Sequence, residues 1–179
     1  MILKDLSLVN FKNYKGIELS LNPKINCFVG NNGQGKTNLL DAIYYLSFCK
    51  SFLNPLDSQN INYDENFFMI QGTYQRETKI EQIYCGIKRG QKKIFRRNKK
   101  DYEKLSDHIG LLPLVVISPS DSSLINEGSD LRRKFIDGII SQYDTSYLNA
   151  LLSYNKVLSQ RNALLKYFFK QRTFNQDQL

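Results

Sequence analysis

Eight consecutive residues carry the clearest chemistry in this chain: Gly30, Asn31, Asn32, Gly33, Gln34, Gly35, Lys36 and Thr37. They fit Gly-x-x-x-x-Gly-Lys-Ser/Thr, a loop built to hold phosphate. Its glycines let backbone N–H groups curl around an anion with no Cβ in the way. Lys36 is placed to reach the β- and γ-phosphates of a nucleoside triphosphate. Thr37 offers a hydroxyl oxygen to Mg²⁺, a hard cation that takes oxygen ligands. ATP and Mg²⁺ are therefore the expected cofactors. No residue is assigned a catalytic role. Hydrolysis needs an acid at the tip of an apolar strand to hold the metal, and a carboxylate to orient water. The one apolar run of that kind, residues 111–117, ends in Ser118-Pro119, and Asp121 comes two residues too late to sit at its tip. The metal-and-water half of a hydrolytic site is not visible, so the chain alone is not expected to hydrolyse ATP.

A second cluster is purely electrostatic. Lys88, Arg89, Lys92, Lys93, Arg96, Arg97, Lys99 and Lys100 occur with no acid among them, leaving 17 of the 25 basic residues against 17 acidic ones. The net charge of +8 thus resides in one stretch. Gly90, Ile94 and Phe95 place that stretch on a β-hairpin. Such a stripe either neutralises several DNA phosphates, with salt-dependent affinity and no base reading, or is a solvated face.

The elements that must position these groups follow from hydrophobic periodicity. Residues 2–9 and 17–21 read as strands, and 25–29 as a short buried strand ending at Gly30. From Lys36 to about Phe48 the pattern is helical, with Leu39, Leu40, Ile43, Tyr44 and Leu46 on one broad face. Residues 50–66 read as loop. Residues 67–75, 79–89 and a run to about Phe95 read as further strands, and 111–117 as a second buried one. Helices follow. The first is capped by Ser129 or Asp130, with Arg133 four residues from Asp137. A longer one is capped by Asp144 or Thr145, and its apolar seam favours packing on a neighbouring helix over a coiled coil.

Other chemistry is thin. Cys27, Cys49 and Cys85 are too scattered for a metal site and read as buried thiols in a reducing compartment. The single histidine, His108, reads as a loop or helix-start residue, and no Gly-x-Ser-x-Gly elbow accompanies it. No apolar run approaches the roughly 18–20 residues that span a bilayer, and no signal peptide is read, so a cytoplasmic protein without membrane contact is expected.

Several stretches together resemble the RecF family of bacterial recombination and repair proteins, ABC-type ATPases related to the SMC proteins. They are LSLVNFKNY at the start, the phosphate loop with NLLDAIYYLS after it, CKSF, SPSDSSLINEGSDLRRKFID and YNKVLSQRNALLK. The phosphate loop is shared by many families. The segment carrying Pro119, Leu124, Ile125, Gly128, Arg132, Arg133, Phe135, Ile136 and Asp137 is far more specific.

The resemblance implies an α/β fold: an ABC-type ATPase lobe with a mixed sheet and β-hairpins over residues 1–120, then the start of a helical second lobe over 121–179. It implies an incomplete fold, because the family's signature loop and metal-binding strand lie in the second half of a chain about twice this size. The fragment is then expected to expose apolar sheet surface and to be poorly soluble or to self-associate. The resemblance also implies ATP-dependent binding of gapped or junction DNA in recombinational repair and replication-fork maintenance. The partners would be RecR and RecO, with ATP-dependent homodimerisation. Lys12 stands where the family has arginine, near the nucleotide. Ser120, Ser129 and Leu53 depart from the family pattern. Two other readings stay open: a small nucleoside or nucleotide kinase using Arg132 and Arg133 as a lid, and a nucleotide-binding module without hydrolysis.

Overall fold

A computed structural model describes residues 1–174. These fall into two compact units, Met1–Ile117 and a second beginning at Ser118. The first is built on a six-stranded sheet in the order β2-β1-β3-β4-β5-β6. Its strands are β1 (Ile2–Phe11), β2 (Tyr14–Ser20), β3 (Phe67–Arg76), β4 (Lys79–Lys88), β5 (Ile94–Arg97) and β6 (Lys100–Asp101). Every pairing between them is antiparallel.

The two-residue period of β1 turns Leu6 and Leu8 inward, and β3 does the same with Phe68 and Ile70. Helix α1 (Lys36–Phe48) lies against β1, β3 and β4 and fills the face with Leu39, Ala42, Tyr45 and Leu46. Phe11, Tyr45 and Phe68 meet edge to face with centroids 5.2–6.4 Å apart, at the core's centre. Gly72 permits the close approach of helix to sheet: a Cβ there would stand 2.7 Å from Leu46 Cδ1.

Two expected strands do not form. Residues 25–29 and 111–117 run outside the sheet. Ile25 is 83% and Val29 85% exposed, Val115 65% and Ile117 86%. The apolar pattern is genuine, but a strand exists only where a neighbouring strand runs beside it and exchanges backbone hydrogen bonds, and neither segment joins the sheet among the described residues. The apolar exposure of these two segments is not the exposed sheet surface that was expected, since neither lies in the sheet. Cys27 is exposed with them, whereas Cys49 and Cys85 are buried as expected. Desolvation pushes the Cys49 thiol up to about 12, which makes it unreactive.

His108 is a core residue rather than a loop one, fully buried at the end of a short 3₁₀ turn. Its Nε2 lies 2.6 Å from the Leu46 carbonyl, so that nitrogen carries the proton, and Nδ1 accepts from Tyr102 Oη at 3.0 Å. Desolvation lowers its pKa to about 4. The unfolded chain therefore takes up this proton first as pH falls. The stabilisation is complete above about pH 6.5 and is lost down to about pH 4, a change of about 3 kcal/mol. Urea unfolding midpoints should decline over that window. In a His108→Gln variant, which keeps a donor for Leu46 but cannot titrate, the decline should be visibly shallower.

The second unit is helical: α2 (Ser123–Asn126), α3 (Ser129–Ile140) and α4 (Thr145–Gln171). Asp144 caps α4 by accepting from the Tyr147 N–H at 3.0 Å, as expected. Gly128, not Ser129 or Asp130, is the N-cap of α3, and no side chain caps that helix. Arg133 pairs with Asp130 rather than Asp137, whose carboxylate accepts from Tyr147 Oη. The seam of α4 is partly covered: Phe168 is buried and Leu151 and Leu165 are half-buried, whereas Tyr154 is 62% exposed.

Candidate functional site

The eight-residue loop joins the extended segment 25–29 to α1. Gly33 and Gly35 have φ of +82° and +101°, left-handed values that cost a side-chain-bearing residue strain. Gly35 is the N-cap of α1, and its carbonyl accepts the first helical bond from the Leu39 N–H at 3.0 Å. The N–H groups at the start of α1 therefore have no helical acceptor, and they gather at the positive end of the helix dipole.

Lys36 folds back over the loop, its Nζ donating to the carbonyls of Gly30 and Asn31, both at 2.8 Å. The Gln34 carboxamide closes the opposite corner by accepting from the Asn31 N–H at 3.1 Å. Thr37 is exposed on the first turn of α1. A cavity of about 310 Å³ opens beside the loop, lined by Tyr14, Ile17, Phe28, Lys36 and Leu39 among others. Amide donors, one ammonium and an apolar wall suit a phosphorylated ligand with an organic body. Thr37 supplies one oxygen for a divalent cation. No group of three or more Asp, Glu, His or Cys that could hold a metal occurs among the described residues. A Mg²⁺ here would take its other oxygens from phosphate and water, its usual habit.

Lys12 is held away from open solvent. Its Nζ pairs with Asp41 Oδ2 at 2.5 Å, with side-chain exposures of 8% and 1%. Asp41 also accepts from Ser51 Oγ and from the Phe52 N–H, both at 2.6 Å. Thr37 and Asp41 are four apart on α1 and share a face, so the Lys12 ammonium lies on the helix face that carries Thr37. Asp41 is not among the residues singled out from the sequence. Its one signal there is an acid set between Leu40 and Ala42 in an otherwise apolar helix.

The basic stretch lies where the hairpin was expected, but its charges are not equivalent. Lys93 pairs with Asp57 at 2.8 Å and donates to the Cys49 carbonyl at 2.6 Å. Arg96 pairs with Asp101 at 2.7 Å. Arg97 grips Glu81 through two bonds of 2.6 and 2.7 Å, and these bonds hold the Glu81 carboxyl below its ordinary range. Lys88, Arg89 and Lys92 are exposed at one end of β5, Lys99 and Lys100 at the other. At about 3.3 Å per residue, the four residues of β5 separate the two groups by roughly 13 Å. The single stripe of eight charges therefore becomes two exposed clusters flanking a paired middle.

The arginines of the kinase reading are committed elsewhere. Arg132 donates to the carbonyls of Leu124 and Glu127, and Arg133 to Asp130.

Comparison with known proteins agrees with this geometry. The AAA ATPase domain family matches the chain over residues 1–179. The chain is 62% identical over 167 residues to the DNA replication and repair protein RecF of Phocaeicola vulgatus, covering 93% of this chain and 45% of that protein. It is 55% identical over 179 residues to RecF of Flavobacterium johnsoniae, covering 100% and 50%. The chain thus spans about half the length of the curated relatives it matches. A solved structure of the recombination mediator protein RecF with ATP, from the RecFOR pathway, superposes with a TM-score of 0.88 at 35% identity. It covers 98% of this chain and 47% of that one. A solved SMC ATPase structure superposes with a TM-score of 0.63 at 17% identity over 78% of this chain, a likeness of fold alone.

Proposed function

The chain belongs to the AAA ATPase domain family, and on that footing we propose that it forms the ATP-binding part of a RecF-like protein acting on DNA in recombinational repair and replication. The observation that carries this reading is the loop 30–37, with Lys36 poised over it at the head of α1. It belongs to a chain that superposes closely on a RecF solved with ATP. In this reading the N–H groups of the loop and of the first turn of α1 receive the β-phosphate. Lys36 exchanges its two carbonyl partners for phosphate oxygens, and Thr37 ligates Mg²⁺. Mg²⁺ held there by the Thr37 hydroxyl would supply neutralisation of the phosphate charge. Lys12, its charge taken up by Asp41, contributes by anchoring the β1–β2 turn beside the site.

The relationship also supports the wider assignments: gapped or junction DNA as substrate, RecR and RecO as partners, ATP-dependent pairing of two copies, and a cytoplasmic site of action. The test is DNA retention. Anisotropy with a labelled gapped duplex, using the complete gene product, should show tight binding with Mg·ATP and weak binding without it. Equal binding in both conditions would overturn the reading.

DNA contact by the basic stretch falls to the exposed residues Lys88, Arg89, Lys92, Lys99 and Lys100. Lys93, Arg96 and Arg97 serve the fold. Reversing Lys88, Lys92, Lys99 and Lys100 to glutamate should weaken DNA binding for all sequences alike. The slope of log affinity against log salt should become shallower by about 0.9 for each phosphate that is no longer neutralised. An unchanged slope would mean that these lysines only solvate the hairpin.

A further inference from the structure

The turn between β1 and β2 does more than connect them. Lys12, at φ +52°, is anchored on buried Asp41, and its own N–H donates to the Asn60 carbonyl at 2.8 Å. The next residue, Asn13, is exposed, yet both ends of its carboxamide are used. Its Nδ2 donates to the Gln34 carbonyl at 3.0 Å, and its Oδ1 accepts from Asn38 Nδ2 at 2.8 Å. Gln34 lies inside the phosphate loop, and Asn38 is in the first turn of α1. Asn13 therefore spans the joint between loop and helix. Gly35 sits at that joint: a Cβ on it would stand 2.6 Å from both terminal atoms of the Asn13 side chain. Its bare Cα leaves the room that Asn13 occupies.

We propose that Asn13 is a positioning residue of the nucleotide site, setting the orientation of the Gln34–Gly35 peptide. This rests on the nucleotide-binding reading above. The peptide is planar and trans, so its C=O and N–H point in opposite directions. Holding the Gln34 carbonyl toward the turn fixes the Gly35 N–H away from it, ready for phosphate. The bond to Asn38 keeps the carboxamide from rotating. The anchor on Asp41 keeps the turn itself in place, so the clamp is held from outside the loop and does not depend on ligand.

The experiment uses the complete gene product and three variants: Asn13→Ala, Asn38→Ala and the isosteric Asn13→Asp, which keeps the acceptor for Asn38 but loses the donor to Gln34. The readouts are the Kd for Mg·ATP, hydrogen exchange of the peptide covering residues 30–37 without nucleotide, and the melting midpoint without nucleotide. Asn13→Ala should raise the Kd about 10-fold and speed exchange of the loop, with the midpoint unchanged. Asn13→Asp should weaken binding at least as much. Asn38→Ala should have a smaller effect that does not add to Asn13→Ala. Binding by Asn13→Ala equal to wild type would overturn the inference alone. A lowered midpoint with unchanged loop exchange would also overturn it, by making the role purely structural. Failure of the wild type to bind Mg·ATP would overturn the nucleotide reading and this inference with it.

Discussion

Replacing Lys36 with alanine is expected to raise the Kd for Mg·ATP by about 100-fold or more and to abolish any dependence of DNA binding on ATP. The ammonium is already held at the mouth of the loop by the carbonyls of Gly30 and Asn31, each 2.8 Å away. Both carbonyls face solvent, so Lys36 gives them up to phosphate at little cost. The charge-assisted bonds it then makes contribute about 1.5–3 kcal/mol each, and two of them account for the expected loss. The folded state should hardly notice the substitution, because water replaces the ammonium at those carbonyls. Displacement of a fluorescent nucleotide, together with a melting curve, checks both halves of the expectation. Wild-type affinity in Lys36→Ala would rule out phosphate binding at this loop.

Replacing Asp41 with alanine should have its largest effect on stability. Asp41 accepts from Lys12, Ser51 and the Phe52 backbone, and both charged side chains of the ion pair are nearly inaccessible. Removing the carboxylate leaves a buried ammonium, a buried hydroxyl and a backbone N–H without their acceptor. Breaking a buried pair in this way costs about 3–5 kcal/mol, and the melting midpoint should fall by at least about 10 °C. Adding Lys12→Met to Asp41→Ala should restore part of the loss, since the stranded charge is then gone. A double variant no more stable than the single one would show that the cost lies in the loop 51–54 contacts and not in the buried charge. Nucleotide affinity should fall as well, because the turn carrying Asn13 is anchored through this pair.

These two residues differ in how far the linear chain discloses them. Lys36 is legible because the site proposed for it is contiguous: the glycines, the lysine and the helix start that a phosphate site calls for lie within eight residues. The hairpins are legible for a similar reason, since β1–β2 and β3–β4 pair through short turns and alternate in period two. Asp41 is not legible, because its meaning depends on Lys12 and Ser51, which approach it only when β1 and the loop after α1 fold over the same helix. Residues 25–29 and 111–117 show the reverse error. Their composition suits a buried strand, but composition does not supply the neighbouring backbone that a strand needs.

What the sequence determined by itself was the phosphate loop with its helix, the antiparallel hairpins, the family and the place of the excess charge, all properties of short contiguous stretches. What only the tertiary structure decided was which charges are free. Lys93, Arg96 and Arg97 look equal to their neighbours in the chain, yet each is neutralised by an acid, whereas Lys88, Lys92, Lys99 and Lys100 are left to solvent. The tertiary structure likewise placed His108 in the core and Asn13 against the phosphate loop. The physical reason is common to these cases. Ion pairing, desolvation and clamping act through space over a few ångströms, and for most of these pairs only the folded chain brings the partners that close.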